Sequence, residues 1–192
     1  MGIVKFGAAL LLVTGLLMGT DVPVVAAETS HASPAQCAGR LSQRLYASAA
    51  AAPGAALDDG TLYGMQRWRS GTGYTFLGIH FPGLLSCAYT VSAIFRQACH
   101  PIGELSSVSH IASKLATWRK ITDRGDIKAG DVIFWKPVRG KIWGFSCPGH
   151  WHVGISLGGD ATVDNDWWSG KPRVSTLSRT CTQFSYALRP PD

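Results

Sequence analysis

An α+β fold, with N-terminal helices packed on an antiparallel sheet, is predicted for this chain by three observations. Apolar residues recur at helical spacing up to about residue 120. After that, short runs alternate with period two, and Gly-rich turns rather than helices join them. Helices first and hairpin-linked strands afterwards is the plan of such a fold.

The elements follow in chain order. Residues 1–27 read as a secretory signal: Lys5 precedes an apolar stretch from Phe6 to Met18, and Val25-Ala26-Ala27 has the small residues of a signal-peptidase site. The stretch falls short of the ~20 residues a bilayer span needs, so a secreted or periplasmic protein without stable membrane insertion is expected. Residues 28–192 then suffice for one domain with a real core and are too few for two of ordinary size. Cys37 to Leu45 reads as a first helix, and Ala47 to Gly60 as its end running into a loop through Pro53-Gly54 and Asp58-Asp59-Gly60. A helix from Cys87 to Cys99 carries the apolar run Ala88 to Phe95, with Ser86 as N-cap. Ser107 to Lys120 is a third helix, with Val108, Ile111, Leu115 and Trp118 on one stripe. Strands are expected at Val132–Trp135, Trp151–Gly158, Ala161–Asp164 and Phe184–Leu188, and Lys136 to Gly149 is an irregular basic segment. In the Trp151 strand the alternation sends Trp151, Val153, Ile155 and Leu157 to the core and leaves His152 on the other face.

Cys87 and His152 carry the chemistry. A thiol at a helix N-terminus meets free backbone amides and the positive end of the helix dipole, both of which favour the thiolate. A histidine projecting from a neighbouring strand can pair with it. A tight turn at Gly158-Gly159-Asp160 would bring Asp164 level with His152, where a carboxylate orients the imidazole, and would point Asn165 to the opposite face unless a bulge intervenes. Five cysteines in an exported chain leave one unpaired. With Cys87 free, the other four allow three connectivities. Antiparallel packing of the first two helices would pair Cys37 with Cys99, leaving Cys147 for Cys181. Cys147, His150 and His152 also have a metal-like Cys-x-x-His-x-His spacing, but no second half is present, and neither a metal nor a cofactor is expected. The net charge is +6. Loss of residues 1–27 removes Lys5 and Asp21 and leaves it unchanged. A basic exported protein suits an anionic polymer such as the bacterial wall, and the export signal argues against nucleic acid.

Ser86-Cys87-Ala88-Tyr89, Lys128-Ala129-Gly130-Asp131-Val132-Ile133-Phe134-Trp135 and His152-Val153-Gly154-Ile155-Ser156-Leu157-Gly158 together resemble the NlpC/p60 superfamily of cell-wall cysteine peptidases. They match its nucleophile helix, its Pro-Gly-Asp-Leu-Val-Phe-Phe strand and its His-Val-Gly-Ile strand, and the resemblance covers residues 70–190, the core of the domain. The resemblance implies a papain-like fold that hydrolyses an amide bond of peptidoglycan stem peptides without cofactor. Cys87 would be the nucleophile, His152 the base and Asp164 the third member, where the family most often has His. Ser86 stands in place of the usual Asp, and Ala88-Tyr89 in place of Ser-Gly. Tyr74 is similar to a family tyrosine near the site; with Ser86 and Trp151 it is expected to contact substrate. A CHAP-like amidase, an antibacterial toxin held in check by an inhibitor protein, and a silent basic wall-binding module are the alternatives.

Overall fold

The computed structural model of the 192-residue chain describes residues 37–58, 74–76, 79–81, 87–105, 107–142, 145–147, 149–165 and 171–191, with 55–58, 74–76, 79–81, 141–142 and 145–146 described by backbone alone. The expected signal segment, the Ser86 cap and the side chain of Tyr74 lie outside this description.

Helix α1 spans Leu41–Asp58. Leu41, Leu45, Ala49 and Ala52 recur at three- and four-residue intervals and are all buried, the narrow stripe a helix needs to seat on a core. The helix runs on through Pro53, giving up one backbone hydrogen bond, so the segment from Ala47 is helix to Asp58 and not the expected loop. Cys37 precedes α1 instead of lying in it. Helix α2, Cys87–Gln97, buries Ala88, Val91, Ile94 and Phe95. Truncating Phe95 to Ala would cost about 3–5 kcal/mol. Its end is closed by Cys99 in a left-handed conformation (φ 56°) and by the Arg44 guanidinium, which donates to the Ala98 carbonyl at 2.8 Å. The Cys37–Cys99 disulfide ties the start of α1 to the end of α2, as antiparallel packing requires. Closing its 62-residue separation removes unfolded-state entropy worth about 4 kcal/mol. Helix α3 is shorter than its pattern suggested. It covers Val108–Lys114, capped by the Ser107 hydroxyl, and Arg119–Ile121 has already become strand β3.

A two-stranded hairpin, β1 (Tyr74–Phe76) and β2 (Ile79–Phe81), precedes α2. The main sheet adds β4 (Val132–Pro137), β7 (His152–Gly158), β8 (Ala161–Asn165), β9 (Pro172–Thr176) and β10 (Thr182–Arg189) to β3, in the antiparallel order β3-β10-β4-β7-β8-β9. The segment after β4 contains a second small hairpin, β5 (Lys141–Ile142) and β6 (Phe145–Ser146). With three helices and a six-stranded antiparallel sheet among the described residues, the chain is α+β.

The sheet buries both faces. Val132, Phe134, Val153, Ile155, Val163 and Leu188 join the helices in one core. Ile133, Trp135 and Ala187 form a second core with Ile121, Ile127 and Leu177. Gly130 fixes how the first layer meets the second. Its φ is +86°, and an added Cβ would lie 2.1 Å from the backbone oxygen of Ser42, so α1 can cross there only over a glycine. The Cys147–Cys181 disulfide joins the segment before β7 to the start of β10. Two bridges fit an oxidising compartment. Among the described residues no helix is long and apolar enough to cross a membrane.

Candidate active site

Strand parity decides which residues share the site. Trp135 pairs with His152 and Ile155 with Val163, so Trp135, His152, Gly154 and Asp164 lie on the face opposite Val153 and Ile155. His152 is 6 % exposed and Asp164 is fully buried. The Trp135 ring lies 5.6 Å from the imidazole at a 50° tilt, restricting how it can turn.

The hairpin does not run as the sequence suggests. A bulge between Ser156 and Gly158 sets Ile155 opposite Val163, so Asp164 comes level with Gly154 and reaches His152 on the diagonal. The missing side chain of Gly154 makes that reach possible. A Cβ there would approach the Val163 carbonyl oxygen to 2.7 Å and the Asp164 Cβ to 3.0 Å. His152 Nε2 stands 3.7 Å from Asp164 Oδ1, ion-pair range and longer than a closed hydrogen bond. This geometry leaves Nδ1 for the sulfur.

Cys87, the free cysteine among the described residues, is buried at the first turn of α2. Burial alone would push its thiol up. The opposing charge and hydrogen bond of His152, joined by the amides of Val153 and Ala88, outweigh burial and hold the thiol below its ordinary range. His152 answers in the opposite sense. Burial would pull it down, but the negative Cys87 and the carboxylate of Asp164 push it up to about 9. The two shifts have the sense of a thiolate–imidazolium pair.

No protein-family model, no curated protein and no solved structure matches the chain.

Of the other expected site residues, Trp151 is 45 % exposed and not in the core as the alternation implied. It sits one residue outside β7, where the strand rule no longer applies. It directly precedes His152 in the chain, while Tyr74 opens β1 and pairs with Phe81. His150 is half-buried, with its ring centre 6.3 Å from that of His152, and is held below its ordinary range by burial and then by the charges of His152 and Arg179. Cys147 has its sulfur in the disulfide, which removes it from the Cys-x-x-His-x-His metal reading.

Two arginines enter the site that sequence reasoning missed. Arg179 forms a buried ion pair with Asp164 Oδ2 and lies over the Trp135 ring, 5.3 Å from its centre. Arg173 Nε is 4.0 Å from Asp164 Oδ1, with half its side chain exposed. Arg173 faces Asp164 across the β8–β9 ladder, and β9 begins with a proline that hid it as a strand. The position of Arg179 two residues before Cys181 is the one signal the sequence offered for it.

Proposed function

We propose that this protein is a secreted, papain-like cysteine hydrolase of the NlpC/p60 kind that cleaves an amide bond in peptidoglycan stem peptides. The observation that carries the reading is the Cys87–His152–Asp164 arrangement, a helix-start thiol paired with an imidazole that a buried carboxylate orients. The two disulfides and the +6 charge fit an exported protein working on an anionic polymer.

The Cys87 thiolate attacks the scissile carbonyl carbon and the π electrons move to oxygen. The backbone N–H of Cys87, without a partner inside its own helix, is placed to receive that oxyanion. His152 gives its proton to the departing amine as the C–N bond breaks, leaving a thioester. Neutral His152 then takes a proton from water as the hydroxyl adds to the thioester, and the thiolate leaves with the acid released. Asp164 keeps the ring aligned throughout, and the exposed Trp151 supplies aromatic surface for the sugar–peptide chain.

Mass spectrometry of purified peptidoglycan digested with the protein tests the reading. Cut stem peptides are expected, and Cys87→Ala should lower their rate by more than about 10³-fold with circular dichroism unchanged. Full turnover in Cys87→Ala, or an intact wall with the unaltered protein, overturns it; the latter is the behaviour of a silent binding module. The rate should rise from acid pH as Cys87 ionises, hold a plateau, and fall again near pH 9 as the imidazolium loses its proton.

A further inference from the structure

Asp164 faces three cationic groups at once. Oδ2 is held by the Arg179 guanidinium, and Oδ1 faces His152 Nε2 at 3.7 Å and Arg173 Nε at 4.0 Å. The Arg179 side chain is 15 % exposed, so its charge is not spent on solvent. It lies over Trp135, whose indole N–H donates to the Leu177 carbonyl at 2.9 Å, and Trp135 in turn packs on His152. The segment carrying Arg179 is pinned at both ends. The Leu177 amide donates to the Asp160 carbonyl at 2.9 Å, and Cys181 is bridged to Cys147 while its carbonyl accepts from Val138 at 3.1 Å. An arginine so fixed cannot follow Asp164 if the carboxylate moves toward the histidine.

We infer that Arg179 is a positioning residue of this site: by sharing Asp164 it holds the carboxylate back from His152 and keeps the imidazolium acidic enough to release its proton. The inference rests on the cysteine-hydrolase reading for its purpose, though not for its physics. A carboxylate given wholly to His152 would grip the proton, and a general acid that grips its proton protonates a leaving amine slowly. Divided between the arginines and the histidine, the same carboxylate still fixes the ring but pulls less hard on the proton. The charged and titratable groups facing His152 are Cys87 from α2, Asp164 from β8, Arg173 from β9, Arg179 from the loop before β10, and His150 from the segment before β7. With Arg179 neutralised, Arg173 and the imidazolium still balance Asp164 and the thiolate. The carboxylate, no longer held by Arg179 on Oδ2, turns to Nε2.

The test reads the pair without any wall substrate. Histidine nitrogen resonances and the rate of Cys87 alkylation by iodoacetamide are followed against pH in the full chain and in Arg179→Gln and Arg179→Lys. In Arg179→Gln the titration of His152 and the alkaline limit of the ion pair should both rise by about one pH unit. Arg179→Lys keeps the charge and should return both toward the unaltered protein. An unchanged or lowered His152 titration in Arg179→Gln, with the near-ultraviolet dichroism of the folded protein, overturns the inference and leaves Arg179 a strut. Should Arg179→Gln not fold, Arg179→Lys decides alone: a titration that rises despite the retained charge overturns the inference, and one that stays put supports it. A protein that shows the shift yet leaves peptidoglycan intact would retain Arg179 as the tuner of the pair while the proposed substrate falls.

Discussion

Asp131 and Asp164 are both buried aspartates on the main sheet or at its edge, and each is met by an arginine, yet they are built for different ends. Asp131 has every side of its carboxylate closed. Oδ1 accepts from Arg189 Nε at 3.0 Å, and Oδ2 accepts from Arg189 Nη2 at 2.7 Å and from the Lys128 amide at 2.8 Å. Its backbone also locks the turn before β4 to β7, since its carbonyl accepts from the Ser156 amide at 2.8 Å. Asp164 closes Oδ2 on Arg179 and leaves Oδ1 at ion-pair distance from a histidine and a second arginine. A saturated carboxylate holds a fold together. One kept short of a partner on one oxygen responds to the proton on its neighbour, and chemistry requires that responsiveness.

The contrast can be broken by substitution, beginning with the largest effect. Asp131→Ala strands the mostly buried Arg189 guanidinium and should cost about 3–5 kcal/mol of stability. Urea unfolding measures it, and activity should follow only the folded fraction. A protein of unaltered stability with dead turnover would erase the distinction between the two aspartates. Gly154→Ala comes next. The new methyl meets the Val163 carbonyl and the Asp164 Cβ, so about 1–3 kcal/mol of overpacking strain is expected. Because the strain is released by moving Asp164 from His152, kcat should fall in the fraction that remains folded; an unchanged kcat would show that Asp164 need not lie on that diagonal.

Asp164→Asn keeps the shape and loses the charge. Turnover should drop roughly 10- to 100-fold with KM little altered, because the group touches the base and not the substrate. Asn165→Ala, on the helix side of β8, should affect turnover less. If it proves the more damaging of the two, the third member has been misplaced by one residue. Arg124→Ala is the smallest change and sharpens the comparison from outside. Arg124 and Asp160 are 3.1 Å apart with 47 % and 58 % of their side chains exposed, and the pair should be worth no more than about 1 kcal/mol. A larger loss in thermal melting would mean that burial is not what separates these arginine–aspartate pairs.

The sequence made some of this legible, and physics explains what it hid. Cys87 at a helix start, the His152 strand and the 37–99 and 147–181 pairings were readable because each is a local pattern or an exclusion among five cysteines. Strand β3 was concealed because Trp118 completed the helical stripe of α3, although the residues after Leu115 already leave the helix. Strand β9 carried Pro172 at its first position and exposed Val174 at its edge, the reverse of a buried strand's signature. The bulge at Ser156–Gly158 could not be read, because a register shift leaves no mark on composition. Arg179 escaped for a related reason: its partner is 15 residues away across two strands, and an arginine bound for a buried carboxylate looks like any other basic residue.

The sheet order sets the timing of assembly. β10 is the last strand in the chain but second in the sheet, bonded to β3 on one side and β4 on the other, and among the described residues β3 pairs with β10 alone. Emerging from a ribosome or a translocation channel, the chain can form α1, α2 and the β7–β8 hairpin while β4 still has a bare edge and the loop bearing Arg179 and Cys181 has nowhere to dock. The final strand must close the bare edge of β4 and bring β3 into the sheet in the same step, a non-local closure of the kind that slows folding. Until that insertion, Cys87 and His152 exist without Arg179 docked on Asp164, so the chain completes this buried cluster only when its last strand is in place.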